Sequence, residues 1–170
     1  MSRGFIKEDD LEHAGTDLPE RLVSLHPNYV TPEGLRQLES EASGLDKERA
    51  TLVAIKDDEL AKQKLAVTDR DLRYLSARLE HAILVDPANQ NKSTVLFGAT
   101  VKVEDEEGNI LQFHIVGEDE ADIAHHKVSY VSPIAKALIG QKVGDSVSWK
   151  RPAGVLQLEI IDINYQKAEI

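Results

Sequence analysis

Two stretches of this chain repeat small and branched apolar residues in mirror-image series, and that symmetry limits the fold more than any other feature. Leu35, Leu38, Ala42, Leu45 and Leu52 recur at alternating spacings of three and four, with Arg49 filling one slot. Leu65, Thr68, Leu72, Leu75, Leu79 and Ala82 repeat in the same way. This is the a/d pattern of a coiled coil. Antiparallel pairing sets 35 against 82, 38 against 79, 42 against 75, 45 against 72, 49 against 68 and 52 against 65. All pairs share one midpoint, between Asp58 and Glu59. The spacing predicts a helical hairpin over residues 29–86, with Asp57, Asp58 and Glu59 at its tip. Arms of about 25 residues would span roughly 37 Å at 1.5 Å per residue. Arg49 opposite Thr68 weakens the seam, but its stem can lie along the seam with its head in water and so set the register. No Gly or Pro interrupts Leu45 to Asp86, so one continuous, dimerising rod is the competing reading.

The flanks fit this plan. Thr31 caps the first helix, Pro32 occupies the first helical position and Glu33 suits the positive end. Gly34 weakens that turn. Residues 1–28 have neither helical nor strand period and read as an extended leader, which Phe5, Ile6, Leu18, Leu22 and Val23 would tack onto a neighbouring surface. Pro87 ends the hairpin, and residues 87–94 form a linker rich in turn formers.

From residue 95 to 165 the period becomes two. Strands are expected at Val95–Glu104, Ile110–Val116, Val128–Val131, Val147–Lys150 and from Leu156 to about Tyr165. Residues 105–109 make an acidic turn. Ser132 and Pro133 open a short helix, Ile134–Ile139, that closes on Gly140. The fold class is therefore α+β: an antiparallel two-helix coiled coil followed by a small antiparallel sheet with one short helix.

Composition excludes several functions. The net charge is −10 and aromatics are 5%, which opposes both direct binding to a phosphate backbone and a base-stacking surface. Contact with nucleic acid is expected only through a protein partner. The chain has no cysteine, which suits a reducing cytoplasm. Met1 to Leu11 lacks the apolar core of a signal peptide. No run approaches the roughly 18 apolar residues of a membrane span.

Candidate chemistry is sparse. Asp57, Asp58 and Glu59 can serve a hard cation, or Asp57 or Asp58 can simply cap the second helix. His114, His125 and His126 lack metal-ligand spacing, and Glu118, Asp119, Glu120 and Asp122 read as a solvated acidic loop. Ser129 and Ser132 lack a nucleophile motif, and Gly140, Gly144 and Gly154 are dispersed turn residues, not a phosphate loop. Trp149 and Tyr130 read as packing residues. Lys136, Lys142, Lys150 and Arg151 make the second half of the globule locally basic. No catalytic residue, cofactor or resident metal is expected.

Several ordered segments resemble the GreA/GreB transcript-cleavage and elongation factors over residues 29–165. They include Tyr29–Gly34, Leu72-Arg73-Tyr74-Leu75, Phe97-Gly98-Ala99 and Ile115-Val116-Gly117. Further on come Ser132-Pro133-Ile134-Ala135-Lys136-Ala137-Leu138-Ile139-Gly140, Lys142-Val143-Gly144-Asp145 and Pro152-Ala153-Gly154. The resemblance implies an FKBP-like globule at the mouth of the secondary channel of bacterial RNA polymerase, with the finger inside that channel. It implies that Asp57, Asp58 and Glu59 contact the polymerase Mg²⁺ and that Lys136, Lys142, Lys150 and Arg151 dock on the rim. The family tip carries a Leu-Ser-Glu-Asn-Ala-type segment after a Gly-Asp turn, whereas this chain has Ala54–Lys62 without that motif and a shorter finger. The implied function is thus regulation of elongation by a monomer bound to RNA polymerase core, more than stimulation of cleavage. A prolyl isomerase and a coiled-coil interaction module are the alternatives.

Overall fold

A computed structural model describes residues 18–166 and divides them into two compact units. One comprises residues 18–27 and Leu35–Ala82; the other comprises Asn28–Gly34 and residues 83–166. Phe5 and Ile6 lie outside the described residues.

The helical unit is the hairpin expected from the heptads. Helix α1 spans Pro32–Ala54 and α2 spans Glu59–Glu80. The 23 residues of α1 correspond to about 35 Å. Leu38, Leu52, Thr68 and Leu75 of the seam are buried, and Ala61 extends the series toward the tip. Arg49 bonds across the arms of the hairpin: its Nε donates to Asp69 Oδ1 at 2.6 Å, one residue beyond the expected partner Thr68. Thr68 instead returns its hydroxyl to the Lys64 carbonyl.

The second arm is shorter than the periodicity predicts. It stops at Glu80 with His81 as C-cap, and Ala82 leaves the seam. Ala82–Leu84 forms a strand, β2, paired with β1 at Asn28–Val30. The Val85 N–H continues the ladder to the Val30 carbonyl. The run Ile83-Leu84-Val85 favours this outcome, because branched apolar residues fit a pleated surface better than a helix end.

Residues 18–27 have neither helix nor strand. Leu22 and Val23 are exposed, which corrects their expected role as anchors. Polar groups hold the segment instead: Glu20 pairs with Arg73 and Arg21 with Asp71.

The globular unit carries a five-stranded sheet in the order β5-β4-β3-β7-β6. Its strands are β3 (Thr100–Asp105), β4 (Ile110–Val116), β5 (Lys127–Ser129), β6 (Ser146–Arg151) and β7 (Gly154–Asn164). Helix α3, Pro133–Leu138, supplies Ile134, Ala135 and Leu138 to the core beside Val101, Val103, Ile115, Val147, Leu158 and Ile160. Ser132 caps α3 by accepting from the Ala135 N–H.

Two expectations need correction. The sheet is mixed, because β5 runs parallel to β4; the connection at 117–126 carries the chain back before β5 begins. Residues 95–99 are not strand: Val95 is tied to Gln141, and Gly98, at φ +91°, turns the chain. The acidic turn stands as expected, with Asp105 accepting from the Asn109 and Glu107 backbone N–H groups.

Gly117 lies hard against β1. A Cβ there would meet the Tyr29 carbonyl oxygen at 2.3 Å, a clash with backbone that no rotamer relieves. Gly117→Ala is expected to cost about 1–3 kcal/mol, read as a lower urea midpoint; an unchanged midpoint would contradict this packing.

Candidate functional site

At the hairpin tip the chain reverses over four residues. The Ile55 N–H still donates to the Leu52 carbonyl at 3.1 Å. Asp57 then adopts φ +57°, a left-handed conformation that aspartate tolerates better than most side chains. Asp58 is extended and caps α2, its Oδ1 accepting from Leu60 N–H at 3.0 Å and Ala61 N–H at 3.4 Å. Glu59 opens the helix.

All residues from Val53 to Leu60 are exposed. The capping reading therefore holds for Asp58, while Asp57 and Glu59 present their carboxylates to solvent. Val53, Ile55 and Leu60 add exposed apolar surface around them. Three consecutive positions with different backbone conformations fan out. Among the described residues, no group of three acids or imidazoles converges to hold a metal ion. A cation at this tip would need further oxygen ligands from a partner, since Ca²⁺ and Mg²⁺ take six or more.

The four basic residues come from three places in the chain: a helix, a turn and a strand. Lys136 is exposed on α3, and Lys142 sits at a turn where its backbone N–H donates to Asp145 Oδ2 at 2.8 Å. Lys150 and Arg151 are successive residues of β6, so they project from opposite faces of the sheet. Arg151 lies 5.3 Å from the Trp149 ring centroid, and Trp149 packs edge-on against Phe113 at 5.5 Å. Tyr130 packs with Tyr29 and Phe97 at 5.3 and 5.7 Å. Trp149 and Tyr130 thus serve packing, as expected.

The expected solvated loop contains a buried acid. Glu120 is 5% exposed. Its Oε1 accepts the Thr31 hydroxyl at 2.5 Å, and its Oε2 faces Lys127 Nζ at 3.5 Å. Lys127 also reaches Glu33 Oε1 at 3.5 Å. Thr31 Oγ1 in turn accepts from the Gly34 N–H at 3.0 Å, which is the N-cap bond of α1. A Cβ on Gly34 would lie 2.7 Å from Glu120 Oε1. The glycine that weakens the first turn is therefore the residue that admits the carboxylate. The sequence hinted at the cap and the glycine, but nothing local tied them to residue 120.

His125 remains on the surface, with Nδ1 2.7 Å from Asp122 Oδ2. That contact holds the Asp122 carboxyl below the usual carboxylate range. His114 lies beside the buried acid, and its burial holds the imidazole below its ordinary value. Glu120 and Glu33 pull the other way, while Lys127 adds to the depression.

The family description "Transcription elongation factor, GreA/GreB, C-term" matches residues 90–165. Transcription elongation factor GreA of Thermodesulfovibrio yellowstonii is 36% identical over 152 residues, which cover 81% of this chain and 96% of that protein. Transcription elongation factor GreB of Neisseria meningitidis serogroup B is 36% identical over 157 residues, covering 84% and 96% respectively. Among solved structures, GreA factor homolog 1 (Gfh1) of Thermus thermophilus is 24% identical, with a TM-score of 0.40 over 82% of this chain and 99% of that one.

The His114 environment predicts a pH dependence. The folded state binds its proton less readily than the unfolded chain does. The stability from its neutral form is fully present above the ordinary value near 6.5 and is lost as pH falls below it. Urea midpoints at pH 7.5, 6 and 5 should therefore fall more steeply in the parent protein than in His114→Gln; parallel curves would contradict this.

Proposed function

Because the chain belongs to the GreA/GreB family of transcription elongation factors, we propose that it binds RNA polymerase with the hairpin inserted through the secondary channel. The observation that carries this reading is the tip: two unpaired carboxylates, Asp57 and Glu59, at the end of a helical hairpin, with Asp58 spent on the cap. A hairpin of about 35 Å reaches a buried site that a globule cannot enter.

The tip carboxylates complete a coordination shell around a polymerase-bound Mg²⁺. Two free acids in place of the family motif support an adjusting role in elongation more than strong cleavage stimulation. The protein has no active site of its own; any hydrolysis would be the polymerase's. It acts as a monomer in the cytoplasm. No described helix is long and apolar enough to cross a membrane.

Lys136 and Lys142, both exposed, dock on the channel rim, with Lys150 and Arg151 contributing from the two faces of β6. Charges at such a rim act mainly on association rate and salt dependence. Lys136→Glu with Lys142→Glu should weaken binding to polymerase core about tenfold at low salt and less at high salt, measured by fluorescence anisotropy. Equal affinity at both salts would remove these residues from the interface.

The tip is tested by replacing Asp57, Asp58 and Glu59 together with alanine. The variant is expected to bind polymerase within about threefold of the parent, a difference of under 1 kcal/mol. It should have lost its effect on backtracked complexes, scored by both RNA cleavage and resumed elongation. Full activity with retained binding would make the tip only a turn.

A further inference from the structure

Residues 18–27 lie before the stretch 29–165 that carries the family motifs, yet they are held in a regular way. Burial recurs at every third position: Leu18, Arg21 and Ser24 turn inward, and the residues between them are exposed. Three is the period of a polyproline-II ribbon, and Pro19 and Pro27 flank the segment.

Arg21, and the exposed Glu20 beside it, meet α2 at Asp71, Arg73 and Tyr74. The Arg21 guanidinium lies 3.8 Å from the Tyr74 ring centroid, with Nη1 3.4 Å from Asp71 Oδ1, an oxygen that also accepts from Arg70 Nε and Nη2 at 3.1 and 3.0 Å. Glu20 takes both arms of the Arg73 fork, Nε to Oε2 at 3.1 Å and Nη2 to Oε1. This pairing lowers the Glu20 carboxyl from its ordinary value and raises the Arg73 guanidinium.

The hold is electrostatic, and its outer pair is wet, whereas the Arg21 and Asp71 side chains are 30% and 17% exposed. Both side chains of the Glu20–Arg73 pair are more than half exposed. Leu22, at 93% exposure, and Leu25 point away from the helix. Exposed pairs of this kind contribute little and are screened by salt. A segment anchored by charge, with Leu22 and Leu25 left in water, docks without being locked.

We propose that residues 18–27 form a detachable strap that competes with a partner for the stretch of α2 bearing Asp71, Arg73 and Tyr74. The partner is an extended protein segment that repeats the strap's own chemistry, a carboxylate for Arg73 beside a guanidinium for Asp71 and Tyr74. Resting on the reading above, that segment belongs to RNA polymerase. Free protein then keeps that stretch covered, and binding exchanges one ribbon for another.

Two measurements on the full chain decide this. The first is the rate of trypsin cleavage after Arg21, followed by mass spectrometry. At about 50 mM salt the parent should be cut at least fivefold more slowly than Arg73→Ala, and the difference should vanish at about 500 mM. Equal rates at low salt would overturn the strap. The second is affinity for polymerase core. Glu20→Arg with Arg21→Glu, which leaves α2 untouched, should bind about fivefold or more tightly than the parent, with the thermal midpoint unchanged. Equal binding would overturn the competition, and weaker binding would overturn it by making the segment part of the interface. If neither protein binds polymerase, the proposed function and the competition both fail, while the cleavage rates still decide whether the strap is held.

Discussion

The buried carboxylate of Glu120 is the interaction on which the edge of the globular unit depends. Taking a carboxylate out of water costs several kcal/mol unless it is paired and hydrogen-bonded. Here a hydroxyl from Thr31 bonds Oε1 and the ammonium of Lys127 lies 3.5 Å from Oε2, which accepts no hydrogen bond; with the positive end of α1 they offset part of that cost. The same threonine caps α1, and the missing Cβ of Gly34 leaves room for the acid. One contact thereby joins β1, the start of α1, the loop after β4 and strand β5. Gly117 meets the β1 backbone a few residues before Glu120 in the same loop. The first turn of the long helix is in this sense part of the sheet domain.

The hairpin was largely legible because heptad spacing is a local and periodic signal. Leu38, Leu52, Thr68 and Leu75 are buried where the mirror series puts them, and Arg49 bonds one residue from its expected partner. The end of α2 was not legible, since Ala82 fits the heptad while the residues after it fit a strand, and only pairing with β1 decides between them. The parallel edge strand β5 and the turn at residues 95–99 were hidden for the same reason: each depends on hydrogen bonds to distant residues, Val128 beside Ile115 and Val95 to Gln141.

Site residues divide along the same line. The tip acids are set by their own turn, which centres on residues 56 and 57 and not between Asp58 and Glu59 as the mirror series puts it: Asp57 lies in the turn, Asp58 is drawn into capping and Glu59 opens α2. Nearness in sequence conceals that strand alternation sends Lys150 and Arg151 to opposite faces of the sheet. Glu120 looked like one more charge in an acidic loop, because the groups that surround it come from residues 31, 33, 34 and 127.

The central claim is that the hairpin tip enters the polymerase interior. Its most direct measurement is photocrosslinking from a benzoylphenylalanine placed at the exposed Ile55 position, in a complex with polymerase core. The account predicts crosslinks to polymerase segments that line the catalytic cavity, competed away by unlabelled parent protein. Crosslinks confined to the outer surface of the polymerase, with binding intact, would contradict it.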